Sequence, residues 1–352
     1  MESFAGIFPD FPAPERIIPL PGDGSERQFF RLHGPEGSAV LIVHPPETET
    51  VKRENRAFSA FGRYLKSLGI SVPGILAENH SLGFFIVEDA GNVHIQDLVK
   101  REARDKRRTL YGKILRLLLD FHIKAPEAFD PAYCLDGQYY DPPFVLEKEL
   151  EYFRKAFLND FLSLNVRWKD LADDFSYLAE KSGILTGNTV IHRDFQSRNL
   201  MAKQGKIYLL DFQGMRYGPP EYDIASLFLD PYVPVGRSER LSWIAFYASR
   251  NPAFSTARFH AVTLCRNLQI LAAFAFLTRQ KKKIRFAAYI PEAWRALKGN
   301  SFLKNCPKLR KLRSLLDIVS PALEKVMDST AITCYRRNLH GKCAQNGKRR
   351  VV

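Results

Sequence analysis

The chain has 352 residues, of which 45% are hydrophobic and 26% charged, and its formal net charge is +14 at pH 7. This composition is ordinary for a globular protein and argues against disorder outside the C-terminus, and the length allows two or three packed units at ~100–200 residues per domain. The five cysteines are scattered without a C-x-x-C pair. Their spacing argues against a zinc site or a disulfide framework and favours a cytoplasmic location.

A large share of the net positive charge comes from residues near the C-terminus. Residues 336–350 contain six basic side chains and no acidic one, so we expect 331–352 to be a basic, disordered tail. A basic protein can attract nucleic acids through its long-range field. No nucleic-acid-binding motif accompanies the charge, and we therefore predict no specific nucleic-acid partner.

The most apolar run, residues 261–277, predicts a helix of the core. It includes Arg266, Asn267 and Gln269, and it is shorter than the ~20 apolar residues that a spanning helix needs. The N-terminus has no basic segment followed by an apolar one, so a signal peptide is not expected. We predict no membrane partner.

The first part of the chain, up to residue 91, is predicted to be a β-rich lobe with one helix. Its segments are rich in β-branched and aromatic residues and are bounded by glycine and proline, which is typical of strands. Helical spacing of apolar residues predicts a helix before Gly69. The predicted strands are 26–32, 38–43 and 83–89, and the predicted helix is 51–68.

Residues 92–330 are predicted to form a second, mostly helical lobe, with the boundary near Gly91-Asn92. Two short strands interrupt the helical pattern within 188–213. An antiparallel sheet with one helix, followed by a helical unit, indicates an α+β chain with two lobes. The predicted helices are 105–124, 145–164, 238–250, 258–279 and 311–327.

The segment 190-VIHRDFQSRNLMAKQGKIYLLDFQ-213 contains the most specific motif of the chain. It has the pattern H-R-D-x-x-x-x-N from His192 to Asn199, and the pair Asp211-Phe212 follows. Phosphoryl transfer needs a carboxylate that orients and deprotonates the attacking hydroxyl, and oxygen ligands that hold Mg²⁺ against the phosphates. The spacing of these residue types therefore indicates a kinase.

A hairpin is predicted between the two halves of this motif, with its turn at Gln204-Gly205. If Lys203 pairs with Lys206, then Leu200 pairs with Leu209 and Asn199 lies opposite Leu210. Asn199 and Asp211 are then neighbours at the open end of the hairpin. They are close enough to share a metal ion, and Asp194 lies in the loop just before.

With these residues in place, the chain resembles the aminoglycoside phosphotransferase superfamily, small-molecule kinases with a two-lobed protein-kinase-like fold. Within it, the chain is most similar to the branch that contains the anomeric N-acetylmuramate/N-acetylglucosamine kinases. The resemblance covers most of residues 15–300. The matching segments are 22-GDGSERQFFRL-32, 84-FFIVEDAG-91, 118-LLDFH-122, 192-HRDFQSRNLM-201, 211-DFQGMRYGPPEYDIASLFLD-230 and 265-CRNLQILAAFAFL-277.

The resemblance implies roles for the residues around the motif. Asp194 would be the catalytic base, and Asn199 and Asp211 would be ligands of Mg²⁺. Asp223 would be the buried carboxylate that braces the catalytic loop. His192 would bond backbone near Asp211 and take no part in acid–base chemistry.

The resemblance also implies an ATP site. The turn containing Gly22, Gly24 and Ser25 would lie over the phosphates, where glycines let the backbone approach and N–H groups face the oxygens. Glu88, Asp89 and Ala90 would form the interlobe hinge, whose backbone hydrogen-bonds adenine.

One departure from the kinase template concerns the phosphates. The template has a lysine on the third strand, which pairs with a helix glutamate. That strand, 38-SAVLIV-43, contains no lysine, and His44 follows it. Glu54 lies on the core-facing stripe of the helix and needs a partner, for which His44, Arg27 and Arg31 are candidates. We assign His44 and Glu54 to the ATP site and interpret the missing lysine as a feature of the branch.

The predicted acceptor is a small molecule, and the resemblance favours a sugar. Its candidate contacts are Arg198, Gln213, Arg216 and Glu149. The basic C-terminal third favours a neutral or anionic acceptor over a polycationic antibiotic. Gly214 stands where this branch more often has an aspartate.

Other functions remain open at this stage. The acceptor of a kinase on this fold could instead be an aminoglycoside, choline or homoserine, and a catalytically silent pseudokinase is a further alternative. A protein kinase is disfavoured, because Tyr222-Asp223 comes only eleven positions after Asp211 and leaves no room for an activation loop.

Overall fold

The computed structural model of this chain describes residues 4–22, 27–35, 37–185, 189–233 and 235–327. These residues form two compact units. The first comprises the described residues of Met1–Asp141 and Gly183–Phe259, and the second those of Pro142–Ser182 and His260–Val352. The predicted boundary at Gly91-Asn92 falls inside the first unit, which therefore groups the β-rich segment with the H-R-D motif. The predicted tail 331–352 lies outside the described residues.

The first unit contains a five-stranded antiparallel sheet with the strand order β1-β2-β3-β5-β4. Three of these strands were predicted. The two others are the edge strands, which are harder to recognise because one contains Pro19 and the other ends in polar residues. The strands are β1 Arg16–Leu20, β2 Gln28–Gly34, β3 Gly37–Val43, β4 Ile75–Asn79 and β5 Phe84–Glu88.

The predicted helix between β3 and β4 is present as α2, Glu49–Ser67, which follows the short α1, Phe4–Ile7. The Thr48 side chain caps its start by accepting from the backbone N–H of Val51 at 3.2 Å. Its end is closed at Gly69, which has a φ of +73°. Local capping chemistry thus places both ends of the helix within two residues of the prediction.

The two faces of the sheet are covered by different segments. On one face Phe58 of α2 packs with buried residues of β3 and β5, and on the other face Phe4 and Phe11 pack against a second buried cluster. Burying these side chains stabilises the sheet at ~25 cal/mol per Å² of apolar surface. The buried members are Ile42, Phe85 and Val87 on the α2 face, and Phe8, Leu32, Ala39 and Ile86 on the other.

The remaining elements are mostly helical, as predicted. Helix α5, Pro142–Val145, continues into π-helical turns at Leu146–Glu151 and Phe153–Phe161. In chain order the elements are β6 Val93–His94, α3 Ile95–Arg101, α4 Arg104–Lys124, α5 Pro142–Val145, α6 Trp168–Ser182, β7 Val190–Ile191, β8 Leu200–Lys203, β9 Lys206–Leu209, β10 Arg216–Tyr217, α7 Glu221–Phe228, α8 Arg237–Ala248, α9 Thr256–Arg279, α10 Ile290–Lys298, α11 Ser301–Asn305 and α12 Arg310–Met327.

The helical predictions agree with the structure for α4, α8, α9 and α12, and the predicted helix 145–164 is largely π-helical. Of the helices after α2, those that were not predicted are α3, α6, α7, α10 and α11. Within the described residues α9 alone is long and apolar enough to cross a membrane, and 72% of its apolar window is buried inside the protein. That degree of burial is typical of a core helix, as its sequence indicated.

The predicted hairpin is present with the predicted register. Leu200 pairs with Leu209 and Lys203 with Lys206 in β8 and β9. Both turn residues, Gln204 and Gly205, have positive φ, as a two-residue hairpin turn requires. The motif residues at the open end of this hairpin are therefore positioned by local strand pairing.

Gly83 offers a test of backbone packing in the sheet. It has a φ of +68°, and a Cβ there would lie 2.0 Å from the carbonyl oxygen of His44. Gly69 has a similar φ, but a Cβ there would meet nothing within 4 Å. We expect Gly69→Ala to cost ~1–2 kcal/mol of unfolding free energy through φ alone. Gly83→Ala should cost a further ~1–3 kcal/mol, because backbone must move.

Chemical denaturation of the two variants beside the parent protein measures this difference. Equal losses of stability for Gly83→Ala and Gly69→Ala would contradict the close approach of Gly83 to the His44 carbonyl.

Candidate active site

The loop that contains the H-R-D motif follows β7 and is held by a buried carboxylate. Asp223, in α7, has no solvent exposure. Its Oδ2 accepts from the backbone N–H of His192 at 2.7 Å, and its Oδ1 accepts from that of Arg193 at 2.9 Å. Arg193 has a φ of +77°, which costs backbone strain that these two bonds offset. Asp223 is therefore buried and hydrogen-bonded to the loop that leads to Asp194, in the position that the sequence predicted.

Behind Asp223 lies a buried polar network that the sequence did not reveal. His122 Nε2 contacts Asp223 Oδ2 at 3.0 Å, and its Nδ1 contacts the Tyr247 hydroxyl at 2.5 Å. Asn251 Nδ2 donates to the same hydroxyl oxygen at 2.6 Å. Burial raises the pKa of Tyr247, which keeps its hydroxyl protonated and able to donate to Nδ1. With Nδ1 accepting from that hydroxyl, the ring nitrogen that faces Asp223 is a donor.

Asn199 and Asp211 occupy the open end of the hairpin. The backbone N–H of Leu210 donates to the Asn199 carbonyl at 2.8 Å, as the predicted register requires. Asn199 Nδ2 donates to the carbonyl oxygen of Asp194 at 2.8 Å, which ties the two motif residues together. His192 Nε2 contacts the Leu210 carbonyl at 2.9 Å, so the predicted backbone bond of His192 is confirmed.

The donor set at this end of the hairpin suits a hard cation. The amide oxygen of Asn199 and the carboxylate of Asp211 are oxygen ligands of the kind that Mg²⁺ prefers. No cluster of three or more His, Cys, Asp or Glu side chains suited to a metal occurs among the described residues. A Mg²⁺ ion held here would complete its coordination with phosphate oxygens and water, as it does at nucleotide sites.

A buried cation lies beside Asp211. Arg27 Nη1 lies 3.9 Å from Asp211 Oδ1, and its Nη2 lies 3.8 Å from Glu54 Oε2. His44 Nε2 lies 3.9 Å from the same Glu54 oxygen, while its Nδ1 contacts Asn55 Oδ1 at 2.8 Å. Of the three candidate partners of Glu54, Arg27 and His44 therefore face it.

Arg31, the third candidate, binds the predicted hinge segment, residues 88–90, instead. Its Nε donates to Asp89 Oδ2 at 2.8 Å and its Nη2 to the Gly91 carbonyl at 2.9 Å. Burial raises the pKa of Asp89, but hydrogen bonds from Ser38, Gly91 and Arg31 outweigh it, so the net pKa lies below the ordinary value. The hinge segment is thus held by a charged, fully bonded carboxylate. Lys203 Nζ donates to the Asp89 carbonyl at 2.6 Å.

The Glu88 side chain is also engaged. It accepts from the Tyr208 hydroxyl at 2.8 Å and from Lys66 Nζ at 2.9 Å. The Glu88 backbone N–H donates to the Gly74 carbonyl at 2.8 Å. Ala90, in the same predicted hinge, is buried.

The predicted phosphate turn is described only in part. Gly22 is exposed and precedes a gap in the described residues. Gly24 and Ser25 lie in that gap, and their predicted role stays a prediction.

The candidate acceptor residues fall into two groups. The Arg198 guanidinium lies over the Tyr232 ring at 4.3 Å, and Gln213 Nε2 donates to Asp211 Oδ1 at 2.7 Å. Both are partly accessible beside the motif. Arg216 and Glu149 have no solvent exposure, and Glu149 belongs to the second unit.

The predicted acceptor contact of Arg216 needs correction. Its guanidinium donates to the Gly214 carbonyl and lies 3.8 Å from Asp136 Oδ2. Burial and the neighbouring Arg193 charge lower the pKa of Arg216 to about 10. Asp136 also contacts Arg193 at 3.4 Å. We therefore interpret Arg216 as support of the catalytic loop, with Asp136 as a partner that the sequence did not indicate.

Comparison with known families places most of the chain in one of them. Residues 16–260 match the model of the phosphotransferase enzyme family. The matched segment contains the five-stranded sheet, the hinge and the complete H-R-D motif with Asp211.

Two curated relatives cover nearly all of the chain. It is 27% identical over 327 residues to the N-acetylmuramate/N-acetylglucosamine kinase of Pseudomonas aeruginosa, covering 86% of this chain and 88% of the relative. It is 26% identical over 348 residues to the protein of the same name from Caulobacter vibrioides, covering 86% and 91%.

Solved structures show the same fold at lower identity. ADP-bound aminoglycoside phosphotransferase APH(2'')-Ib has a TM-score of 0.56 at 14% identity, covering 82% of this chain and 94% of its own. Choline kinase LicA from Streptococcus pneumoniae has a TM-score of 0.53 at 15% identity, covering 81% and 93%. These likenesses confirm the predicted two-lobed, protein-kinase-like α+β fold and leave the acceptor open.

Proposed function

Because the chain belongs to the phosphotransferase enzyme family and is a small-molecule kinase, we propose that it transfers the γ-phosphoryl group of ATP to a hydroxyl of an amino sugar. The observation that carries this proposal is the open end of the β8–β9 hairpin. There the Asn199 side chain donates to the Asp194 carbonyl, and the Asn199 carbonyl accepts from Leu210, the residue before Asp211.

Within this proposal Asp194 orients the acceptor hydroxyl and accepts its proton during transfer. Asn199 and Asp211 would hold Mg²⁺, which when bound would supply positive charge to neutralise the phosphates. Asp223 keeps the loop in place through the N–H groups of His192 and Arg193. Such a reaction depends mainly on positioning and charge, and the hydrogen bonds within the loop supply the positioning.

For the nucleotide, we propose that the backbone of Glu88 and Ala90 hydrogen-bonds adenine. The turn that begins at Gly22 and includes Gly24 and Ser25 would cover the phosphates. The engaged side chains of Glu88 and Asp89 support this assignment, because they hold the hinge backbone in one conformation.

For the acceptor, we propose N-acetylmuramate or N-acetylglucosamine, phosphorylated at the anomeric hydroxyl. The support is that relatives of this name align over 86% of the chain. The net charge of +14 agrees, since it attracts a lactyl carboxylate and repels a polycationic antibiotic. Arg198 and Gln213 are the proposed acceptor contacts.

The test is a panel of acceptors incubated with enzyme and MgATP, with ADP release as the readout. The panel contains N-acetylglucosamine, N-acetylmuramate, kanamycin, choline and homoserine. We expect turnover with the N-acetyl sugars only, and phosphorus NMR of the product should show coupling to the anomeric proton. The Asp194→Asn protein, prepared in the same way, corrects for contaminating kinases.

Methyl glycosides of N-acetylglucosamine are the matched control for the hydroxyl, because they block the anomeric position alone. Turnover of the methyl glycosides would contradict anomeric transfer. Efficient transfer to kanamycin or choline without transfer to any N-acetyl sugar would contradict the amino-sugar proposal. Binding of MgATP without turnover of any acceptor would favour a silent nucleotide-binding protein.

A further inference from the structure

The nucleotide site lacks the strand lysine of the kinase template, but it contains a different buried cation. Strand β3 has no lysine from Gly37 to Val43. Arg27, immediately before β2, directs its guanidinium between Glu54 of α2 and Asp211, at 3.8 and 3.9 Å. These are the helix carboxylate and the proposed metal-binding carboxylate that a strand lysine would accompany.

Burying the charged guanidinium of Arg27 costs free energy unless nearby groups compensate its charge. Its side chain is only 8% exposed. A guanidinium stays charged in proteins, so a buried arginine must be compensated by opposite charge. Both carboxylates lie beyond hydrogen-bond distance of its nitrogens. The guanidinium is therefore attracted by their charge without a direct hydrogen bond to either carboxylate.

The surroundings hold this guanidinium in place. The Phe58 ring lies 5.7 Å from its central carbon, and Phe58 also stacks on Phe212 with ring centroids 5.4 Å apart. On the other side of Glu54, His44 is fixed by two bonds with Asn55, each 2.8 Å long. Arg27 and Glu54 are therefore oriented by packing on both sides of the pair.

We propose that Arg27 binds the phosphate chain of ATP in place of the absent strand lysine, with Glu54 as its positioning residue. The inference rests on the proposed kinase function and adds the residue that recognises the phosphates. An arginine suits this task because its fork can donate two parallel hydrogen bonds to phosphate oxygens. Its position beside Asp211 would bring those donors to the same phosphates that Mg²⁺ contacts.

The test separates phosphate recognition from adenosine recognition by measuring binding without any acceptor. Affinities for adenosine, ADP and ATP are determined by calorimetry, first with EDTA and then with Mg²⁺. A hydrogen bond to a charged group contributes ~1.5–3 kcal/mol, so we expect Arg27→Met to weaken ADP and ATP binding by about 10- to 100-fold. Adenosine affinity should not change. The KM for ATP should rise by a similar factor.

Arg63→Met is the matched control, since Arg63 is an exposed arginine of α2 that pairs with Glu78 at 2.9 Å. It should leave all three affinities unchanged. Unchanged ADP affinity in Arg27→Met would overturn the proposal. A parallel loss of adenosine affinity would overturn it too, because it would indicate a structural role only.

Two further variants keep the test decisive. If Arg27→Met does not fold, Arg27→Lys replaces it. This variant keeps the positive charge but loses the two parallel N–H donors of the guanidinium, and it should bind ADP several-fold more weakly than wild type. Glu54→Gln should weaken ADP binding in wild type but add little in the Arg27→Met background, because coupled residues are not additive. Full additivity would exclude Glu54 as the positioning residue.

The outcomes for Arg27 and for the acceptor are independent. A wild-type protein that binds ADP through Arg27 but phosphorylates no N-acetyl sugar supports the inference and contradicts the acceptor. A wild-type protein that binds neither ADP nor ATP contradicts both.

Discussion

Asp194→Asn should lower kcat by about 10²- to 10⁴-fold while leaving the Kd of MgATP nearly unchanged. The change removes the carboxylate that would accept the hydroxyl proton but keeps the size of the side chain. Asn199 Nδ2 donates to the backbone carbonyl of Asp194, and the substitution leaves this bond in place. Turnover with saturating acceptor and calorimetry with MgATP measure the two effects separately.

Asp120→Asn is the matched control, because it makes the same isosteric change on the exposed face of α4 in the same unit. It should have wild-type turnover. Retention of more than about a tenth of wild-type kcat in Asp194→Asn would make the assignment of the base wrong, since such groups contribute at least ~10²-fold.

Asp211→Ala should abolish both turnover and the Mg²⁺-dependent part of ATP binding. Loss of a residue that only supports a metal ligand already costs ~10–100-fold in affinity or activity, and loss of a ligand itself should exceed ~100-fold. The comparison of ATP affinity with Mg²⁺ and with EDTA measures this effect. Wild type should bind ATP more tightly with Mg²⁺, and the variant should show no such difference.

The EDTA arm also distinguishes Asp211 from Arg27. Without metal, Asp211→Ala should bind ATP no more weakly than wild type, because it removes a negative charge 3.9 Å from Arg27. Arg27→Met should be weaker in both conditions. A Mg²⁺-dependent gain in ATP affinity that survives in Asp211→Ala would refute the metal assignment.

The hairpin shows how far local pattern predicts this site. A two-residue turn and the alternation of strand side chains determine a register, and the register determines that Asn199 lies opposite Leu210. Helix α2 was equally predictable, because its cap at Thr48 and its end at Gly69 are local. The motif residues themselves follow from phosphoryl-transfer chemistry at a characteristic spacing.

Partners far apart in sequence were not predictable in this way. Three basic residues were equal candidates for Glu54, and only the packed sheet shows that Arg31 turns to Asp89 while Arg27 faces Glu54. His122 and Asp223 are 101 residues apart, and no spacing rule connects them.

The sequence by itself therefore determined the α+β class, the hairpin register and the residue types of the phosphoryl-transfer site, because each depends on neighbours a few positions away along the chain. Only the tertiary structure decided that Arg216 is buried, that Arg27 lies beside Asp211, and that His122 supports Asp223. Which buried charges pair depends on which charged side chains are brought together and desolvated when the chain folds. That outcome is a property of the folded core as a whole, and no local pattern encodes it.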